Sequence, residues 1–164
     1  MIVISDTTPI NYLILIDCID LLSTLYGRVV IPQAVFNELQ AESVPQEVKA
    51  WIAALPHWVE VHALLSPPDA SLAHLDIGEQ EAIALAKELD ADLLIIDESE
   101  GRNEARRQGV RFIGTLRVLY DAAGLGLCDL PEAYNRLRQT SFRVSEKIME
   151  RFLALDAQRK AMDL

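Results

Sequence analysis

The sequence predicts an α/β fold with a mostly parallel central sheet flanked by helices. Three observations carry that expectation. Five short apolar runs read as strands, and stretches of helical periodicity separate them, the pattern of βαβ units. Acidic residues follow the first and fourth runs directly, at the strand ends where open parallel sheets gather their loops. A chain of 164 residues, 51% of them apolar, fits one domain with its own core. That domain is expected over 1–164, with a helical extension at about 129–164.

The first strand is Ile2–Ser5; Asp6 follows it, and Pro9 suits the first turn of a helix, where a missing N–H costs nothing. Arg28–Ile31 is the second strand, with Pro32 opening a helix that carries Glu38 about two turns in. Trp58–Val61 is the third. Glu79–Leu89 (EQEAIALAKEL) sets Ala82, Ile83 and Ala86 on one helical face and charge on the other. Leu93–Ile96 is apolar throughout, as a central strand covered on both faces must be. Ser99–Gln108 reads as a helix stopped by Gly109, Arg111–Ile113 as the last strand, and 115–124 as a helix stopped by Gly124. Two amphipathic segments, about 131–139 and 145–156, make the tail. Their apolar stripes, including Leu130, Tyr134 and Leu137, suit either the domain's own core, a homodimer or a partner helix.

Charge narrows the function classes. The net charge of −10 argues against a phosphate binder, yet its distribution is uneven. Residues 1–100 hold 3 Lys and Arg against 17 Asp and Glu, and residues 101–164 hold 12 against 8. Such asymmetry suits an interaction surface as well as ordinary solvated helix faces. No apolar run approaches the roughly 18 residues of a membrane span, and MIVISDTTP lacks the basic start of a secretory signal. A cytoplasmic protein without membrane contact is expected. Cys18 and Cys128 share no ligand spacing and read as reduced thiols; His57, His62 and His74 read as surface or cap residues.

Four acids form the candidate site. Asp6 and Asp97 emerge from strand ends on one rim, Glu79 stands in the first turn of its helix after Gly78, and Glu38 interrupts FNEL. Each also has a local reading: Asp6 and Asp97 as helix caps, Glu79 as a complement to the helix dipole, Glu38 on an exposed face. Convergence of all four would repel unless protons or a cation intervene. An all-oxygen set with no His or Cys cluster suits Mg²⁺ or Mn²⁺. Arg102, a turn beyond Asp97, is placed either to meet a substrate phosphate or to pair with Glu98.

The ordered set SDTTPI, IPQAVFNEL, LDIGEQEAIALA, LLIIDE and then GR resembles the PIN-domain family, in its prokaryotic branch of toxin–antitoxin ribonucleases. The similarity runs from Met1 to about Leu119, including GTLRVL, and the tail motif SFRVS (Ser141–Ser145) extends it. The resemblance implies a PIN-like three-layer fold and an Mg²⁺- or Mn²⁺-dependent nuclease acting on RNA. Its four acids fall on Asp6, Glu38, Glu79 and Asp97 as catalytic metal ligands, and its Ser or Thr beside the first acid on Thr7. An antitoxin protein and a homodimer are the implied partners. The third position holds Glu79 where Asp is common; Glu81 and Glu98 compete with their neighbours as ligands.

Other readings remain. A non-catalytic PIN-like module binding nucleic acid or protein would keep the fold without the chemistry. A haloacid-dehalogenase-like phosphatase wants a second acid two residues after the first, where this chain has Thr8. A receiver domain wants an acidic pair and a late Lys, where this chain has Ser5–Asp6 and Gly114–Thr115.

Overall fold

Five apolar segments pair side by side and in parallel because helices cover both their faces. The computed structural model describes residues 1–163. The chain runs β1 (Val3–Ser5), α1 (Thr7–Leu15), α2 (Leu21–Tyr26), β2 (Val29–Pro32), α3 (Gln33–Glu38), α4 (Gln46–Ala53) and β3 (Val59–His62). It continues through α5 (Ile77–Glu88), β4 (Leu93–Ile95), α6 (Ser99–Arg107), β5 (Phe112–Ile113), α7 (Thr115–Gly124), α8 (Leu130–Arg138) and α9 (Glu146–Met162). The strand order is β3-β2-β1-β4-β5, every pairing parallel. The expected α/β class with a parallel sheet is the observed one.

The two-residue period of the strands divides the core into two layers of side chains. Val3, Val29, Ile31, Leu93 and Ile95 point to one face and pack with Leu13 of α1, Val35 of α3, Val48 of α4, Val118 of α7 and Tyr134 of α8. Ile4, Val30, Leu94 and Ile96 point to the other, against Ala82, Ile83 and Leu85 of α5 and Ala105 of α6. Three layers result: helices, sheet, helices.

Several boundaries differ from the sequence reading. β2 and β3 each end one residue later than expected, because the backbone ladder continues through the pair Pro32 and His62 beyond the apolar run. Pro32 therefore closes β2 and caps α3 rather than opening the helix, and Glu38 is that helix's last residue. Helices α2 and α4 were not foreseen. The stop glycine after α7 is Gly126, at φ +74°, not Gly124, which ends the helix itself. Gly124 has another reason to lack a side chain: a Cβ there would run into the Arg159 guanidinium of α9.

The tail is bound to the sheet's helical layer. α8 buries Leu130, Ala133, Tyr134 and Leu137, and the Tyr134 hydroxyl donates to the Leu116 carbonyl at 2.8 Å. Full burial of such side chains contributes roughly 1.5–3 kcal/mol each. The stripe considered for a partner helix thus closes the domain's own core. α9 extends to Met162 and is held at Asp156, which bonds Arg159 at 2.7 Å and Lys160 at 3.0 Å. Among the described residues no helix is long and apolar enough to cross a membrane.

Candidate metal centre

Strand order reverses between β1 and β4: β2 and β3 extend the sheet on one side of β1, β4 and β5 on the other. Crevices open at such a switch point, beyond the carboxyl ends of the strands. Asp6 and Asp97 are both there. The Asp6 amide donates to the Ile95 carbonyl at 2.9 Å, carrying the β1–β4 ladder one residue past the strands.

Asp6 is the N-cap residue of α1, yet its side chain makes no capping hydrogen bond. It is 2% exposed, and its Oδ1 has no hydrogen-bond partner. Burial pushes its carboxyl up to about 8; the Thr7 amide opposes that shift, and the charges of Asp76, Glu38 and Asp97 add to it. Those couplings set Asp6 within the electrostatic reach of the other acids.

Glu38 comes to the site from the end of α3. Its carboxylate accepts the Thr7 hydroxyl on one oxygen and the Gly78 amide, at 3.0 Å, on the other. Thr7, expected beside the substrate, thus holds Glu38 to the end of β1. Glu79, 6% exposed, sits in the first turn of α5 with Oε2 unpartnered. Burial raises its pKa, and Asp76, Asp6 and Glu98 raise it further. Half-buried Asp97 bonds the Thr115 amide at 2.8 Å through Oδ1 and the Thr115 hydroxyl at 2.7 Å through Oδ2. It therefore secures the start of α7, not α6, whose N-cap is Glu98. Burial raises the Asp97 pKa, against the Thr115 bonds and the nearby Arg102 charge.

Three glycines make room for these carboxylates. A Cβ on Gly78 would lie 2.5 Å from Glu38 Oε2, one on Gly101 2.5 Å from Glu79 Oε2, and one on Gly114 2.7 Å from Asp97 Oδ1. Asp76, which the sequence reading passed over, belongs to the site: it caps α5 by accepting the Glu79 amide at 2.8 Å, and it acts on both Glu79 and Asp6. Its signal was present as Asp76-x-x-Glu79, the spacing of a capping box. Glu81 is occupied elsewhere, accepting the Ala34 amide of α3 at 3.0 Å.

Arg102 does not pair with Glu98 in the set of ion pairs formed by the described residues. Its guanidinium lies 5.2 Å from the Phe112 ring centre and shares a cavity wall with Asp97. His62 pairs with Glu60, and half-exposed His74 lies 3.9 Å from Glu104, both away from the four acids.

The donor set fits a hard divalent cation. All its atoms are oxygens, two of them are buried without partners, and three carboxyls are pushed towards the protonated form. Among the described residues no group of three or more His, Cys, Asp or Glu side chains is drawn in around a common ion position.

The chain matches a family model, DUF3368, described as a PIN domain, over residues 2–158. Among solved structures it is similar to a PilT N-terminus domain protein from the hyperthermophilic archaeon Sulfolobus solfataricus P2. That likeness has a TM-score of 0.55 at 24% identity, over 74% of this chain and 93% of the other, and it speaks for the fold. No curated protein matches the sequence.

Proposed function

This chain belongs to the PIN-domain family, and from that premise we propose that it is a divalent-metal-dependent endoribonuclease. PIN domains are typically nucleases and generally use divalent metals. One observation carries the reading for this chain. Asp6 is a buried carboxylate in N-cap position that makes no cap, keeps an oxygen unpartnered, and stands at the switch point of the sheet. A side chain arranged that way serves a ligand better than it serves the fold.

Asp6, Glu38, Glu79 and Asp97 are the residues that would hold the cation, Mg²⁺ or Mn²⁺. Bound there, it supplies Lewis-acid activation of water and neutralises charge on the phosphodiester. The chain's own part is to set the donors. The Thr7 hydroxyl and Gly78 amide fix Glu38, and the two Thr115 bonds fix Asp97. Burial holds the Asp6 and Glu79 carboxyls raised, and a bound cation would favour their charged forms. Arg102, which lines the same cavity as Asp97, would meet a phosphate oxygen of the substrate.

The test is Asp6→Asn, which keeps the shape and removes the charge. Wild-type protein cleaves RNA with Mn²⁺, and the variant loses that activity by a hundredfold or more while its thermal unfolding stays cooperative. The toxin role, with an antitoxin as its restraint, makes a further demand: expression of the wild-type chain alone slows growth and the variant does not. Full cleavage by Asp6→Asn would sink the metal-site assignment.

A further inference from the structure

Helix α3 is short and has no cap of its own. It runs only from Gln33 to Glu38, and its N-cap position is Pro32, whose side chain can accept no hydrogen bond. The missing acceptor comes from another element. The Glu81 carboxylate of α5, 47 residues on, accepts the Ala34 amide at 3.0 Å. At the other end of α3, the Glu38 carboxylate accepts the Gly78 amide, also of α5, at 3.0 Å. One turn of α5 therefore grips α3 at both ends.

The two contacts suit the dimensions of the helices. Ala34 to Glu38 spans roughly 6 Å of helix axis and Gly78 to Glu81 roughly 4.5 Å, a difference that flexible glutamate side chains take up. The contacts run in reverse order, Ala34 with Glu81 and Glu38 with Gly78. Approach at Gly78 is so close that a Cβ there would lie 2.5 Å from Glu38 Oε2. Burial of Ala34, Val35 and Leu39 presses α3 onto the core. Apolar contact is non-directional, however, and fixes a helix along its own axis less sharply than a hydrogen bond does. The Glu81 bond is charge-assisted and stands at the positive end of α3, which strengthens it.

We propose that Glu81 is a positioning residue for the metal centre: by capping α3 from α5 it sets where that helix ends, and so where Glu38 meets the Thr7 hydroxyl and the Gly78 amide. The inference rests on the metal-site reading above and adds a residue that shapes the donor set without joining it. Two residues from Glu79, Glu81 reads in the sequence as a competing ligand; the bond to Ala34 gives its carboxylate another partner. A ligand and a cap respond differently to substitution. Loss of charge disables the ligand, and loss of the acceptor oxygen disables the cap.

The test compares Glu81→Gln, which keeps an acceptor oxygen and drops the charge, with Glu81→Ala, which drops both and suits a helix interior. Asp129→Ala is the control, because Asp129 makes an equivalent cap in the tail, on the Glu132 amide of α8 at 3.0 Å. Mn²⁺ affinity is read by calorimetry, and amide hydrogen exchange by NMR in chelator. Glu81→Ala weakens Mn²⁺ binding roughly fivefold, the scale of one lost cap. It also speeds exchange of the Gly78 amide as well as that of Ala34, since the far end of α3 loosens with the near one. Glu81→Gln stays within about twofold of the wild type in both readouts, because the hydrogen bond survives. Asp129→Ala speeds exchange at Glu132 and leaves Gly78 exchange and Mn²⁺ affinity unchanged. Equal damage from Gln and Ala would overturn the inference by making Glu81 a ligand. Unchanged Gly78 exchange in Glu81→Ala would overturn it too, whatever happens to Mn²⁺ binding. A wild type that takes up no Mn²⁺ defeats the metal-site reading instead, and Gly78 exchange in chelator still decides the role of Glu81.

Discussion

A carboxylate at a helix N-cap ordinarily bonds the amides of the first turn, and Asp6 does not. Its cost to the metal-free fold can be read in pH. The Asp6 carboxyl, about 8 in the folded protein against an ordinary 3.8, keeps a proton that the unfolded chain has already lost. Stability is therefore greatest below the unfolded value and falls as pH rises through the folded one. We expect the melting temperature in chelator to decline between pH 5 and pH 8.5, less steeply in Asp6→Asn. Raised Glu79 and Asp97 leave the variant some slope. Mn²⁺ should restore wild-type stability most at the alkaline end. A flat wild-type profile in chelator would show that Asp6 is ionised without strain.

Helices deliver two of the other carboxylates, Glu38 and Glu79, and glycines decide where those end up. Gly78 lies in the first turn of α5, where the nearest atoms a Cβ would meet belong to the far end of the flexible Glu38 side chain. Ala is preferred to Gly inside helices by roughly 0.8–1.0 kcal/mol. The helix gain should offset part of what is lost when Gly78→Ala displaces Glu38 from the Thr7 hydroxyl and the Gly78 amide, keeping the melting temperature close to that of the wild type while weakening Mn²⁺ binding at least tenfold by calorimetry. Unaltered affinity would mean that Glu38 does not hold the ion. At Gly101 the same change would meet Glu79 and also Ile96 of the core, so stability and site would suffer together. Placement of anions at helix starts has its own logic: Asp6, Glu79 and Asp97 each stand at the positive end of a helix, which favours their charged forms once burial is offset.

Over the whole molecule, the tail is what completes the region around Asp97. α9 is fastened far from the site by Asp156, 2% exposed, with Arg159 donating also to the Tyr120 carbonyl and stacking 4.0 Å above the Tyr120 ring. Asp156→Ala leaves partly buried Arg159 without its carboxylate. The expected loss is about 1–3 kcal/mol by urea denaturation, less than for a fully buried pair because Lys160 and Arg159 keep access to water. A variant as stable as the wild type would show that the α9 anchor is not at Asp156.

The five strands along the chain, the helices other than α2 and α4, the parallel sheet and the rim positions of Asp6 and Asp97 were legible in the sequence, because each rests on a local pattern: an apolar run, a helical period, an acid one residue past a strand. Glu38, Glu79 and the family resemblance were legible as motifs, without the contacts that give them position. Only the tertiary structure brought the Thr7 hydroxyl and Gly78 amide onto Glu38, joined Asp97 to Thr115 rather than to α6, and set Asp76 within reach of Asp6. It also turned Leu130, Tyr134 and Leu137 inward and brought Arg143 to the Asp97 rim. Those pairings link residues 18 to more than 40 positions apart. Periodicity reports which face of an element is apolar; which element that face meets depends on strand order and crossover, and no local run of residues encodes it.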